Sequence, residues 1–231
     1  TQTCSPSTDG KHVWVMFANG AVACFTVDGK KVWSLDLPER YGKFNIAFGL
    51  TSTPVLDEGR LYYQLIHGQM NDEGSRGLVV CLDAATGEEI WKQVRATDGI
   101  RENKHSYASP MMYDHDGLKF LVTHGADFII AHDLKDGKEI WRCGDLNVKS
   151  KYDRTLRFVA SPLCADGMIV VPTAKRGPVR VIRPDGKGDI TFNKEAHLWS
   201  YATTPDVPSP LVHDGLVYLC MANGNLSCLN Q

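Results

Sequence analysis

The chain has 231 residues, 43% of them hydrophobic, with 25 Lys and Arg against 27 Asp and Glu, a formal charge of −2. This balance excludes a broad electrostatic grip on nucleic acid or an anionic membrane, and the apolar content excludes a disordered chain. The longest uncharged apolar runs, at 168–172 and 216–221, are strand-length, so no membrane span is expected.

Taken in chain order, the sequence repeats itself. The first unit opens on Ser5-Pro6, turns at Asp9-Gly10, runs through an apolar stretch with Trp14 and closes on Asp28-Gly29-Lys30-Lys31-Val32-Trp33. The second opens on Thr53-Pro54-Val55, turns at Glu58-Gly59 and closes on Thr86-Gly87-Glu88-Glu89-Ile90-Trp91. The third runs from Ser109-Pro110-Met111 through Asp116-Gly117 to Asp136-Gly137-Lys138-Glu139-Ile140-Trp141. The fourth has Ser161-Pro162-Leu163 and Asp166-Gly167, then a longer, degenerate turn before Trp199. The fifth has Ser209-Pro210-Leu211 and Asp214-Gly215 and reaches Cys228-Leu229-Asn230, the counterpart of Cys81-Leu82-Asp83. Successive prolines of the Ser/Thr-Pro pairs are 48, 56, 52 and 48 residues apart.

Each unit reads as four short strands joined by Asp-Gly or Thr-Gly turns, the chemistry of tight hairpins. Four antiparallel strands per ~50 residues make a propeller blade. The expected architecture is an all-β propeller in a single domain, 1–231, with blades at 1–37, 50–94, 106–143, 158–201 and 207–231, the last incomplete. An unclosed ring leaves strand edges bare, so the chain is expected to be a piece of a longer protein.

The turn-plus-Trp pattern, fullest in Leu82-Asp83-Ala84-Ala85-Thr86-Gly87-Glu88-Glu89-Ile90-Trp91, resembles the PQQ-like propeller repeat. That family includes quinoprotein alcohol dehydrogenases and the lipoprotein propeller of outer-membrane protein assembly. The resemblance implies that Trp33, Trp91, Trp141 and Trp199 dock between adjacent blades, and that the protein is periplasmic or extracellular. It also implies one of two functions. One is a non-enzymatic binding or scaffold module; the other is a pyrroloquinoline-quinone-dependent oxidoreductase. Quinoproteins of this type hold the quinone between a Trp and a vicinal disulfide beside a calcium ion. This sequence has no Cys-Cys pair, and Asn71-Asp72-Glu73 lacks the spacing of a calcium loop. No cofactor is therefore expected, and PQQ with calcium belongs to the alternative in which the cofactor residues lie outside this stretch. The seven cysteines cannot all pair with one another and include no Cys-x-x-Cys; Cys24, Cys81 and Cys228 read as small strand hydrophobes.

Candidate ligand residues come from long loops that lead into the inner strands or join the middle ones. They are Arg40 and Tyr41 in 38–50; Arg101, Lys104, His105 and Tyr107 in 95–108; Lys151, Tyr152, Arg154 and Arg157 in 145–159; and Lys175 and Arg176 in 173–180. Residues 92–106 carry +2 (Lys92, Arg95, Arg101, Lys104 against Asp98, Glu102), and 142–158 carry +3 (Arg142, Lys149, Lys151, Arg154, Arg157 against Asp145, Asp153). Set on one face, these loops suit a protein partner or an anionic polysaccharide, with sugar rings stacking on the tyrosines. Nucleic acid is not expected as a partner, since neither net charge nor motif supports it. His67, His105 and His124 with Asp127 form a possible metal or acid–base group if the fold brings them together; no hydrolase, zincin or phosphate-loop motif is present.

Overall fold

The computed structural model describes residues 4–69 and 75–230; the acidic tripeptide Asn71-Asp72-Glu73 lies outside them. The first sheet is β1 (Ser7–Thr8), β2 (His12–Met16), β3 (Ala21–Thr26) and β4 (Lys31–Asp36). After the one-turn helix α1 (Leu37–Tyr41) come β5 (Val55–Asp57), β6 (Arg60–Leu65), β7 (Ser75–Asp83) and β8 (Glu89–Thr97). The third sheet is β9 (Met111–His115), β10 (Leu118–Gly125), β11 (Phe128–His132) and β12 (Glu139–Cys143). The fourth is β13 (Leu163–Ala165), β14 (Met168–Pro172), β15 (Val179–Ile182) and, beyond the two-residue β16 (Gly188–Asp189), β17 (His197–Tyr201). The fifth has β18 (Leu211–His213), β19 (Leu216–Cys220) and β20 (Leu226–Asn230). Apart from β16, which joins the edge of the third sheet, every sheet is an up-and-down antiparallel meander, and the inner strands β1 and β5, β9 and β13, and β13 and β18 are neighbours. This is the all-β propeller read from the repeat.

Local chemistry explains why the same turn recurs. The Asp83 carboxylate accepts from Ala85 N (2.9 Å), Thr86 N (2.8 Å) and Thr86 Oγ1 (3.0 Å), and Gly87 N donates back to Asp83 O. Asp133 does the same for Lys135 N at 2.7 Å, with Gly137 N returning to Asp133 O. Such side-chain turns favour Asp at the first position and a left-handed Gly at the close. A register shift sits at the equivalent point of all four third-to-fourth strand pairs: after Cys24, Cys81, Ala131 and Val181. A bulge there increases local twist and aims the following Trp out of its own sheet.

Two of the expected loops are more structured than their sequences suggest. Residues 38–50 begin in α1, capped by the Asp36 carboxylate accepting from Glu39 N at 3.0 Å, with Pro38 in the first turn. The degenerate turn of the fourth unit leaves its own blade: β16 pairs in parallel with β12, Gly188 opposite Trp141 and Asp189 opposite Arg142.

The core is a series of slabs between consecutive sheets. One slab joins blades 1 and 2 (Trp14, Met16, Leu61, Tyr63), a second blades 2 and 3 (Tyr62, Cys81, Trp91, Leu121), a third blades 3 and 4 (Phe120, Trp141, Ile169, Ile182) and a fourth blades 4 and 5 (Met168, Val181, Val217, Leu219). At the first three interfaces the repeat Trp carries a polar tie. Trp33 Nε1 donates to Ala84 O (3.0 Å), Trp91 Nε1 to Leu134 O (3.0 Å) and Trp141 Nε1 to Pro184 O (2.9 Å), always a carbonyl in the next blade's turn. Trp14, read as a core residue, is buried and donates to the same Ala84 carbonyl at 2.8 Å.

The Ser/Thr-Pro pair makes a second tie nearer the axis. Ser5 N donates to Thr53 Oγ1 (3.1 Å), Thr53 N to Ser109 Oγ (2.9 Å), Ser109 N to Ser161 Oγ (2.9 Å) and Ser161 N to Ser209 Oγ (3.0 Å). The proline holds the preceding residue extended, so its N–H points sideways to the next hydroxyl. Ser109→Ala, which strips Thr53 N of its acceptor, is expected to lower unfolding free energy by about 1–2 kcal/mol. Ser150→Ala, at an exposed residue outside the belt, is expected to change it by under about 0.5 kcal/mol. Urea unfolding followed by Trp fluorescence separates the two.

Candidate ligand-binding face

The meander sorts the loops by face. Loops between blades and those joining the second and third strands fall at one end of the sheets; the remaining turns fall at the other. The far end therefore collects the turns between first and second strands, with Asp9, Glu58, Asp116, Asp166 and Asp214, and those between third and fourth, with Asp28, Asp83, Asp133 and Asp136 beside Lys30, Lys135 and Lys138. The near end carries the loops that hold the twelve candidate ligand residues, although Arg40 reaches back along the second blade to the turn carbonyl of Gly87.

Most of those twelve are already engaged. Arg40 Nη1 donates to Gly87 O at 2.9 Å, tying α1 to the second blade. The Tyr41 ring lies under Lys92 Nζ at 5.7 Å, with its hydroxyl buried. Lys104 and His105 are 1% and 2% exposed; Lys104 Nζ donates to Gln69 O at 2.8 Å, and His105 Nε2 bonds Gly68 O at 3.1 Å. Tyr107 packs its ring against Phe48 and buries its hydroxyl. Arg157 pairs with Glu102 at 2.5 Å and covers Phe48. The positive charge counted in these loops is largely internal: Lys149 pairs with Asp98 (2.8 Å), Lys175 with Asp206 (2.5 Å) and Arg180 with Asp145 (3.2 Å). Arg101 is exposed with φ 51°, and Arg154 is exposed.

Three of the twelve do meet. Lys151, Lys175 and Arg176 border a pocket of about 290 Å³ between the third and fourth blades, over a floor of Leu146, Leu156 and Ala174. Lys151 and Arg176 have no ion-pair partner among the described residues, and Arg176 is held at φ 71°. Residues the sequence did not single out support this pocket. Asn147 Nδ2 donates to Asn103 Oδ1 (2.6 Å) and Asp153 O (2.9 Å), while Asn103 Nδ2 donates to Leu156 O. Leu146 N donates to Asp127 O (3.3 Å), and Ala174 N to Leu146 O (2.9 Å). No local sequence signal marks these roles: Asn103 and Asn147 are the two Asn in 98–153, 44 residues apart.

Beneath the face lies a buried polar layer. Arg95, 1% exposed, donates from Nε to Thr123 Oγ1 (2.9 Å) and from Nη2 to Phe128 O (2.7 Å); burial brings its guanidinium down to about 9. His132 bonds Thr123 Oγ1 (2.9 Å) through Nε2 and Gly137 O (3.0 Å) through Nδ1. His124 Nε2 donates to Pro172 O at 2.8 Å. Burial lowers both imidazoles to about 4, and His67 likewise, so all three are neutral at pH 7. The Tyr152 hydroxyl donates to Asp127 Oδ2 at 2.6 Å, and burial raises the Asp127 carboxyl to about 7. His105, His124 and Asp127 thus each take a different partner, and no group of three or more His, Cys, Asp or Glu among the described residues assembles to hold a metal.

The groups that the quinoprotein resemblance implies do not come together either. The cysteines are all free, Cys4, Cys24, Cys81 and Cys143 buried, and Trp14, Trp33, Trp91 and Trp141 are bound into blade interfaces.

Fold and repeat define a PQQ-like β-propeller. A family model described as outer membrane protein assembly factor BamB matches residues 75–231, and the chain belongs to this family. No sequence among curated proteins matches it. Among solved structures it is similar to BamB from Moraxella catarrhalis (12% identity, TM-score 0.67), covering 97% of this chain and 59% of that one. It is also similar to the quinohemoprotein alcohol dehydrogenase from Comamonas testosteroni (14% identity, TM-score 0.63), covering 93% and 43%. The computationally designed Ika8 protein matches with 13% identity and a TM-score of 0.62, covering 100% and 59%. The chain thus spans about three fifths of the length of the BamB it resembles. At these identities the likenesses establish the fold. No helix among the described residues is long and apolar enough to cross a membrane.

Proposed function

We propose that the protein is a non-enzymatic binding or scaffold module that holds a partner protein on the face carrying the inter-blade loops, in a periplasmic or extracellular setting. The observation that carries this reading is the pocket between the third and fourth blades, where Lys151 and Arg176 make no direct ion pair among the described residues over an aliphatic floor, the one carboxylate in the lining, Asp153, being turned to Thr155 while it feels the Arg176 charge. Such a site fits an acidic segment with an apolar side chain: the carboxylate meets the cations while the apolar group covers Leu146 and Leu156. Membership in a family described by outer-membrane protein assembly supports a protein as the partner. An anionic polysaccharide is supported less well. Tyr41, Tyr107 and Tyr152 turn their rings or hydroxyls inward, leaving little aromatic surface on which a sugar ring can stack.

The test is fluorescence anisotropy with a labelled Asp/Glu-Leu peptide and with a sulfated oligosaccharide. Lys151→Glu combined with Arg176→Glu is expected to weaken peptide binding at least about tenfold, with loss of the salt dependence. Unchanged peptide affinity overturns the reading, and binding of the oligosaccharide alone replaces the partner. The alternative, a PQQ-dependent oxidoreductase, is supported by the structural likeness to the Comamonas enzyme. A rise in melting temperature with PQQ and Ca²⁺, accompanied by alcohol-dependent dye reduction, would favour it instead.

A further inference from the structure

Asp127 occupies an unusual place. Ala126 and Asp127 form the hairpin tip between β10 and β11 with φ of 48° and 68°, and both are fully buried. The turn carries the inter-blade loop on its back. Its carbonyl accepts from Leu146 N, whose own carbonyl accepts from Ala174 N, so two residues of the pocket floor hang from it in series. The side chain holds the same loop a second time through the Tyr152 hydroxyl, at 2.6 Å to Oδ2, and Tyr152 stands between the pocket residues Lys151 and Asp153. The other carboxyl oxygen, Oδ1, is buried and has no hydrogen-bond partner. An ionised carboxylate in this position would have one donor for two oxygens, whereas a neutral carboxyl leaves no charge unsolvated.

The surrounding charges do not supply the missing donor. From the loop, Lys149 is committed to Asp98 at 2.8 Å and lies over the Tyr152 ring at 5.0 Å, and Asp145 adds a like charge. From the β8 side, Asp98 adds another, and Arg95 spends Nε and Nη2 on Thr123 and on Phe128 O; its Nη1 is buried and bonds nothing, so its charge acts on Asp127 through space without a hydrogen bond to Oδ1.

We propose that Asp127 and Tyr152 form a proton-held latch: with the Asp127 carboxyl protonated the 145–158 loop is seated and the pocket formed, and loss of that proton releases the loop. The latch regulates the binding site of the preceding section and rests on that reading for its biological meaning, but not for its existence. Burial, the largest influence on the group, with the like charges of Asp98 and Asp145, outweighs the Tyr152 hydrogen bond and the Lys149 charge, which favour the carboxylate, and sets the transition near pH 7. The folded-state value lies above that of an unfolded aspartate, about 4. The contribution to stability is therefore complete below about pH 4 and is lost as pH rises through about 7. This is the opposite sense to a salt-bridged carboxylate.

Amide hydrogen exchange by mass spectrometry, corrected for intrinsic rates and run from pH 5 to 8.5, tests this without any ligand. In the wild type, protection of 145–158 is expected to fall by up to about tenfold per pH unit from pH 5 to about 7 and to level off above it, while β14 and β15 stay level. Asp127→Asn keeps the shape, tolerates the left-handed backbone and carries no charge, so its loop is expected to stay protected throughout. Tyr152→Phe is expected to be poorly protected at every pH. A wild-type loop with no pH step, or an Asp127→Asn loop that keeps one, overturns the latch. A step that appears in exchange while the acidic peptide fails to bind at any pH leaves the latch standing and removes the binding reading.

Discussion

Gly137→Ala is expected to destabilise the protein by about 3 kcal/mol, and Gly167→Ala by about 1 kcal/mol. Both glycines close turns at nearly the same left-handed angle, φ 73° and 70°, so the backbone penalty is shared. They differ in what a methyl group meets. At Gly167 nothing lies within 4 Å, whereas at Gly137 the new carbon falls 2.5 Å from Cζ3 and 2.6 Å from Cε3 of Trp91, and 2.8 Å from Gln93 Cγ. The Trp91 indole cannot retreat, because its Nε1 is bonded to Leu134 O and its ring packs in the second slab. Thermal unfolding should show the gap as roughly 4–8 °C between the two variants. Equal losses would mean that the turn glycine serves only the backbone and that the blade interface does not press on it.

Trp141→Ala should cost about 3–5 kcal/mol, a large fraction of a typical domain's stability. Trp141 is fully buried, meets Phe120 edge-on at 5.9 Å and donates to Pro184 O. Its strand also pairs with β16, so the residue anchors the long turn of the fourth blade as well as the interface. Trp141→Phe keeps much of the volume but leaves the Pro184 carbonyl without its donor, for about 1–2 kcal/mol. Trp199→Ala is expected to cost less than Trp141→Ala: the side chain is half-buried, and among the described residues it has no carbonyl acceptor. Urea unfolding across this series ranks the interfaces. Similar losses at Trp141 and Trp199 would contradict the role given to the carbonyl tie and to burial.

Both expectations grow from a feature plain in the sequence, and the comparison shows where legibility stops. The strand–turn–strand order, the Asp-initiated turns and the outer-strand Trp are local signals: each depends on residues within ten positions and on backbone preferences that any chain context respects. Their recurrence four or five times makes a propeller the consistent reading. The Ser/Thr-Pro pair was equally visible, but its role was not. The acceptor for Ser109 N is a hydroxyl 52 residues away, and nothing in the local sequence encodes that partnership. The pairing of β16 with β12 was hidden for the same reason.

The candidate site was legible only as a set of loops. Topology alone places those loops together, because an antiparallel meander sends alternate connections to the same end. Side-chain fate within them depends on packing. Lys104 and His105 look in sequence like any surface loop residues, yet the interior takes them because backbone carbonyls at Gln69 and Gly68 satisfy them. Tyr152 reads as a stacking platform and instead turns inward to Asp127.

What the sequence determined by itself is the propeller: period, turn chemistry and strand patterning agree at every level, so the architecture follows from short-range preferences repeated along the chain. What only the tertiary structure decided is which of its charges are free. A count of Lys and Arg in the loops says nothing of their partners. Ion pairs such as Arg157 with Glu102 and Lys149 with Asp98 join residues more than 50 positions apart, and the bare oxygen of Asp127 comes from the way one loop settles on a neighbouring blade. Electrostatics acts through distance in space, and the chain brings those groups together only when the blades pack.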